Sequence, residues 1–184
     1  PRTLVQALHR PDRSGFEIIT TINKHRDELL ERITSREARV GVIGLGYVGL
    51  PLSLAFVEHG FTTVGFDVDS SKAGLITAGK SYIKYVDEKR IAAAVRGGRL
   101  SATSDFARLG GPDALLICVP TPLTPQREPD MTYVMNTARQ IKERLREGQL
   151  VVLESTTYPG TTDGPLKDAL QESGLVCGKD SVSY

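Results

Sequence analysis

Three glycines, Gly44, Gly46 and Gly49, stand in a G-x-G-x-x-G spacing within GVIGLGYVGLPLSLAF, residues 41–56. They follow an apolar run and open a helix-like segment, the context in which this spacing does chemistry. The first glycine permits a tight turn, the second lets the backbone approach a pyrophosphate, and the third allows close helix–strand packing. Unpaired N–H groups and the positive dipole end of a helix starting near Tyr47 and Val48 then favour bound phosphates. No G-K-[S/T] follows, which excludes the phosphate loop of nucleotide triphosphatases. Asp67 lies 18 positions after Gly49 and closes the next apolar run. A carboxylate there accepts hydrogen bonds from the adenosine ribose and repels a 2′-phosphate, so the expected cofactor is NAD rather than NADP. Lys72, in the turn that follows, can reach the ribose or a phosphate. The alternative is that Asp67 merely sits in a surface turn, with Asp69 and Ser70 capping a helix.

Two later loops carry further polar groups. The first, ICVPTPLTPQREPDMTYV, is stiffened by Pro120, Pro122, Pro125 and Pro129, which also remove backbone donors. The second is VVLESTTYPGTTD. Pro120 and Thr121 from the first, and Ser155, Thr156 and Thr157 from the second, can meet a cofactor or water. Asp130, Thr161 and Thr162 read instead as helix caps. Cys118 lies inside an apolar run and is expected to be a buried thiol; neither it nor Cys177 has disulfide-framework or metal-ligand spacing.

The elements that must position these residues follow from the apolar pattern. Short apolar runs at 40–44, 63–66, 114–119 and 150–153, with a weaker fifth at 175–177, alternate with predicted helices at 47–59, 71–78, 88–96, 133–147 and 162–172. Continuous apolar strands alternating with helices describe an α/β fold: a doubly wound Rossmann parallel sheet that binds ligands at the carboxyl ends of its strands. Residues 1–37 differ. Ile18, Ile22, Leu29, Leu30 and Ile33 recur at roughly helical spacing among charged residues, predicting an N-terminal helical extension ahead of a cofactor domain at 38–184. The extension carries no recognisable chemistry, and the chain has no internal repeat.

From Arg39 to Asp180 the sequence resembles the UDP-glucose/UDP-N-acetylhexosamine 6-dehydrogenase family. GLGYVGLPL, FDVDSSK, CVPTPL with REPD, ESTTYPGTT and the segment GKSYI occur in order. The wording of the third and fourth motifs is closer to the branch acting on UDP-N-acetylglucosamine or UDP-N-acetylmannosamine. The resemblance implies two NAD-dependent oxidations of the sugar C6 alcohol to a carboxylate through a cysteine adduct, and a homo-oligomeric full-length enzyme. It places Val48, Asp67, Lys72, Thr121 and Thr156 at NAD-contacting positions and gives Thr156 a second role in holding a catalytic water. The family's nucleophile motif, G-G-x-C-x-P-K-D, is absent. Cys177-Gly178-Lys179-Asp180 lacks its glycines and proline and is one residue short in spacing. The expectation is therefore a piece of a longer enzyme, inactive alone.

Composition narrows the remaining classes. The 184 residues carry 23 basic and 22 acidic side chains, a formal charge of +1. Without a basic cluster, nucleic acid is not an expected partner. The apolar runs fall far short of the ~18 residues of a membrane span, and the N-terminus lacks a signal-peptide core, so a cytoplasmic protein is expected. No metal site is expected. Two other readings stay open: the cofactor domain of a β-hydroxyacid dehydrogenase, and a non-enzymatic NAD(H)-sensing module that docks through residues 1–37.

Overall fold

The computed structural model describes residues 13–176 and 182–183; the side chains of residues 13–23, Ile18 and Ile22 among them, and Cys177 lie outside what is described. The helix α1 (Arg13–Thr34) leads into β1 (Arg39–Ile43), α2 (Gly49–Glu58), β2 (Thr62–Phe66), α3 (Ser70–Thr77), α4 (Glu88–Arg96) and β3 (Leu100–Thr103). A 3-10 turn then precedes β4 (Ala114–Ile117), α5 (Thr132–Lys142), β5 (Leu150–Leu153), α6 (Lys167–Gln171) and β6 (Val182–Ser183). All six strands are parallel, in the order β3-β2-β1-β4-β5-β6. The order reverses between β1 and β4, and the loops leaving those strands diverge there to open a crevice.

Side chains alternate across the strands, so each face of the sheet needs its own cover. On one face Val40, Val42 and Leu116 meet Leu52 and Phe56 of α2, beside a cluster joining Leu50 and Leu54 to Ile76 and Ile91. On the other, Ile43, Leu115 and Ile117 pack with Ile141 of α5 and Leu166 and Leu170 near α6. This is the doubly wound arrangement expected from the apolar runs. The last turn of α1 joins the first face, where Ile33 packs beside Ala38 and Val40.

Five elements depart from the sequence reading. The strand β3 is an edge strand with only Leu100 firmly buried, so LSAT carries little apolar signal. The helix expected at 47–59 begins two residues later, because residues 46–48 form the glycine turn. The helix expected to run to 147 ends at Lys142. Beyond it the chain swings out so that the Arg146 guanidinium reaches the Gly110 and Pro112 carbonyls. The helix expected from 162 opens as a wide, distorted turn, since Pro165 drives Gly164 out of helical geometry. Finally, the sixth strand is Val182–Ser183, not 175–177; Leu175 and Val176 are still crossing back from α6.

At the amino ends of the strands one buried carboxylate collects several donors. Asp113, 3% exposed, accepts from Arg32 Nη1 and Arg146 Nη2 at 2.7 Å each through Oδ1, and from the Arg39 amide at 2.7 Å through Oδ2. It thus ties α1, the start of β1 and the loop before β5 to the start of β4. Replacing Asp113 with alanine leaves the Arg39 amide without its acceptor and should lower unfolding free energy by roughly 1–3 kcal/mol. Urea denaturation measures the loss; an unchanged midpoint would show that the tie contributes nothing.

Candidate cofactor site

The glycine turn is built on contacts that no side chain could share. Gly44 adopts φ +94°, and a Cβ there would lie 2.7 Å from the Cys118 carbonyl oxygen, where the ends of β1 and β4 meet. A Cβ on Gly49 would lie 1.9 Å from the Gly44 carbonyl oxygen. Gly46 is different: a Cβ there meets nothing within 4 Å. Its missing side chain leaves clear space in front of the backbone, at the switch point of the sheet.

Unbonded donors lie beside that space. The amides of Gly46, Tyr47 and Val48 make no hydrogen bond among the described residues, and Val48, at the N-cap of α2, provides no side-chain cap. An uncapped ten-residue helix with free N–H groups over an open, glycine-lined surface suits an anion. Tyr47 and Val48 are both exposed, at 74% and 57%. The residues therefore fit a dinucleotide pyrophosphate.

Asp67 stands where the sequence put it, at the end of β2, but not in a surface turn. It is 5% exposed, and both carboxylate oxygens are engaged. Oδ2 accepts from the Leu45 amide at 2.8 Å and from Lys72 Nζ at 3.1 Å; Oδ1 accepts from the Asp69 amide at 3.0 Å. Of about four lone-pair sites on a carboxylate, one is left for a ribose hydroxyl unless Lys72 moves aside. Capping of α3 falls to Asp69, whose side chain accepts from Ser71, not Ser70, and whose carboxyl those bonds hold below the usual carboxylate range.

The two later loops are tied to each other. Thr121 Oγ1 donates to the Thr156 carbonyl at 2.7 Å, and Ser155 Oγ to the Val119 carbonyl at 2.6 Å. Both hydroxyl protons are thus committed within the protein, whereas the Thr156 hydroxyl has no partner among the described residues and is exposed. Pro120 is exposed beside them. Asp130 serves as the cap expected of it, accepting from the Thr132 amide at 2.9 Å. Thr161 does not: its hydroxyl turns back to the Tyr158 carbonyl, and no side chain caps that turn. Cys118 is buried, and burial together with the nearby Glu154 carboxylate pushes its thiol up to about 12.

One part of the site was missed in the sequence. The segment between α3 and α4 lies over the glycine turn, and Tyr82 and Tyr85 donate hydrogen bonds to the Leu45 and Tyr47 carbonyls. GKSYI was visible as a motif and contains Tyr82, but nothing in it announces which backbone it touches, and Tyr85 lies beyond it.

Residues 38–179 match the family model described as the UDP-glucose/GDP-mannose dehydrogenase family, NAD binding domain. The chain belongs to this family. It is 36% identical over 143 residues to the UDP-N-acetyl-D-mannosamine dehydrogenase of Pyrococcus horikoshii, covering 77% of this chain and 34% of that protein. With the UDP-N-acetyl-D-glucosamine 6-dehydrogenase of Pseudomonas aeruginosa the identity is 33% over 146 residues, 79% of this chain and 34% of the relative. Among solved structures, a ternary complex of GDP-mannose dehydrogenase from Pseudomonas aeruginosa superposes with a TM-score of 0.74 at 33% identity, over 79% of this chain and 35% of that one. The chain therefore spans about a third of the length of these relatives. NAD is the cofactor of this domain family, and the fold and glycine turn agree with it.

Two expectations follow from the geometry. A Cβ on Gly46 meets no protein atom within 4 Å, so Gly46→Val should keep the wild-type circular dichroism while abolishing NAD binding; Gly49→Ala should instead damage the fold. A folded Gly46→Val chain with wild-type affinity would place the phosphates elsewhere. For Cys118, iodoacetamide labelling followed by mass spectrometry should be far slower than for a free exposed thiol, because the thiolate is scarce at neutral pH. Fast labelling at Cys118 in the folded chain would contradict the burial.

Proposed function

We propose that this chain is the cofactor half of a UDP-sugar 6-dehydrogenase that takes a UDP-N-acetylhexosamine. The observation that carries the site is the open surface at Gly46, together with the unbonded amides of Gly46, Tyr47 and Val48 at the sheet's switch point. In this reading Gly44, Gly46 and Gly49 shape the pyrophosphate cradle. Asp67, with Lys72 beside it, holds the adenosine ribose. Pro120, Thr121, Ser155 and Thr156 form the rim toward the nicotinamide. NAD, when bound, supplies the hydride acceptor for oxidation of the sugar alcohol. The Thr156 hydroxyl has no partner among the described residues and is exposed, which supports giving it the role of holding a water.

The names of the relatives support a UDP-sugar over a β-hydroxyacid: both enzymes compared above by sequence are named for UDP-N-acetylhexosamines. We assign residues 1–37 to a helical extension and the remainder to the cofactor domain, and the family model's start at residue 38 agrees with that division. A homo-oligomeric enzyme working in the cytoplasm, where nucleotide sugars are made, completes the proposal. No helix among the described residues is long and apolar enough to cross a membrane.

Calorimetric titration tests the cofactor side. NAD should bind the 184-residue chain at least about tenfold tighter than NADP, a difference of ~1.4 kcal/mol, because a 2′-phosphate would meet the Asp67 carboxylate. Equal or tighter NADP binding would sink the Asp67 assignment. Mixed with NAD and UDP-N-acetylglucosamine, UDP-N-acetylmannosamine or UDP-glucose, the same chain should form NADH only at a background rate. Its cysteine at the site is buried, and positioning and covalent trapping together supply several orders of magnitude. Robust turnover by this chain would overturn the division of labour.

A further inference from the structure

We propose that Tyr82 and Tyr85 form a brace that aims the phosphate-binding amides of the glycine turn, making them positioning residues for the cofactor. The inference rests on the pyrophosphate reading of that turn and deepens it. Tyr82 donates its phenol proton to the Leu45 carbonyl, and Tyr85 Oη donates to the Tyr47 carbonyl at 2.9 Å. In a planar trans peptide the carbonyl and the following N–H point in opposite directions. Holding the Leu45 carbonyl toward Tyr82 therefore turns the Gly46 N–H the other way, and holding the Tyr47 carbonyl toward Tyr85 does the same for Val48. These are two of the amides at the turn that have no partner among the described residues.

The brace is itself anchored. Ile83 and Val86, on either side of its second arm, are buried in the cluster that includes Leu45, Leu50 and Leu54. Ser81 fastens the start of the segment: its hydroxyl donates to the Ile83 carbonyl, and its amide donates to Glu88 Oε1. The two arms differ in kind. Tyr82 is half-buried, and its burial, reinforced by the Asp67 and Asp69 charges, raises its phenol above the usual range, so it stays protonated and remains a donor. Tyr85 is exposed, and its ring stacks on Tyr47 with centroids 6.0 Å apart and planes at 28°. Leu45 is held on both sides, since its amide, in the peptide with Gly44, donates to Asp67 while its carbonyl, in the peptide with Gly46, accepts from Tyr82. Phosphate cradle and ribose carboxylate are thereby set relative to each other before any ligand arrives, which lowers the ordering cost of binding.

Tyr82→Phe and Tyr85→Phe, singly and together, remove the hydroxyls and keep the rings. Titrations with NAD, ADP-ribose and adenosine separate aiming from folding, because adenosine has no phosphate to be aimed at. Each variant should weaken NAD and ADP-ribose by roughly three- to tenfold, the range of one lost hydrogen bond, while adenosine binding stays at the wild-type level. In the ligand-free protein, the amide resonances of Gly46 in Tyr82→Phe and of Val48 in Tyr85→Phe should shift or broaden. Unchanged NAD affinity in the double variant, or an equal loss for adenosine, would overturn the brace while leaving the cofactor site standing. Failure of the wild-type chain to bind NAD would remove both.

Discussion

The tightest constraint in this molecule is the approach of backbone to backbone around Gly44. The Gly49 α-carbon faces the Gly44 carbonyl so closely that a methyl group could not fit, and Gly44 itself presses on the Cys118 carbonyl. These contacts let β1 turn directly into α2 and bring the helix start to the junction of β1 and β4. Were either position to carry a side chain, α2 would be displaced from the strand, and the leucines that cover the sheet would move with it. The crevice and the core on that face thus have a common origin. Gly46 obeys a different logic, since the protein would tolerate a side chain there and only a ligand would object.

Asp67 links this turn to the next strand, and its position is a compromise. A buried carboxylate is costly unless its oxygens find donors, and here the Leu45 and Asp69 amides and the Lys72 ammonium supply them. The same bonds that make the charge tolerable also stabilise the turn. A ribose arriving at this carboxylate must share it with Lys72 or displace the ammonium. Loss of Asp67 would harm both the turn and the ligand contact, which is why cofactor preference reports on the ribose more cleanly than its deletion does.

Much of this was legible in the sequence because the signals were local. Buried parallel strands need continuous apolar residues, so β1, β4 and β5 stood out, and the glycine spacing marked the turn from β1 into α2. The strand β3 did not, because an edge strand is half-relieved of burial and LSAT can be nearly polar. The early end of α5 was hidden for another reason: the force that unwinds it is Arg146 reaching Asp113, a partner 33 residues away whose need for donors arises only in the fold. Pro165 was visible, yet the wide turn it causes depends on how Gly164 yields. In the site, residue types were readable but commitments were not. Thr121 and Ser155 read as ligand hydroxyls, whereas their protons bind the two loops together; the tyrosine hydroxyls gave no sign of the carbonyls they reach.

The two ends of the sheet are held by opposite means. At the amino ends, Asp113 gathers two guanidinium groups and a backbone amide, while Gln149 Nε2 donates to the Leu109 and Pro112 carbonyls, so the loops there have little freedom. At the carboxyl ends of β4 and β5, the links are single hydroxyl bonds, Thr121 to Thr156 and Ser155 to Val119, and exposed loops surround them. A lone neutral hydrogen bond contributes about 1 kcal/mol, little enough for a bound ligand to rearrange. Charge-assisted bonds to a buried acid are stronger and leave no such latitude. The fold therefore concentrates its firm interactions on the face away from the crevice and leaves adjustable ones at its rim. On the ligand side the exceptions are the Asp67 carboxylate, with its charge-assisted bonds, and the glycine turn. The turn is rigid because its contacts are steric, and phosphates, unlike a sugar or a nicotinamide, require donors already in place.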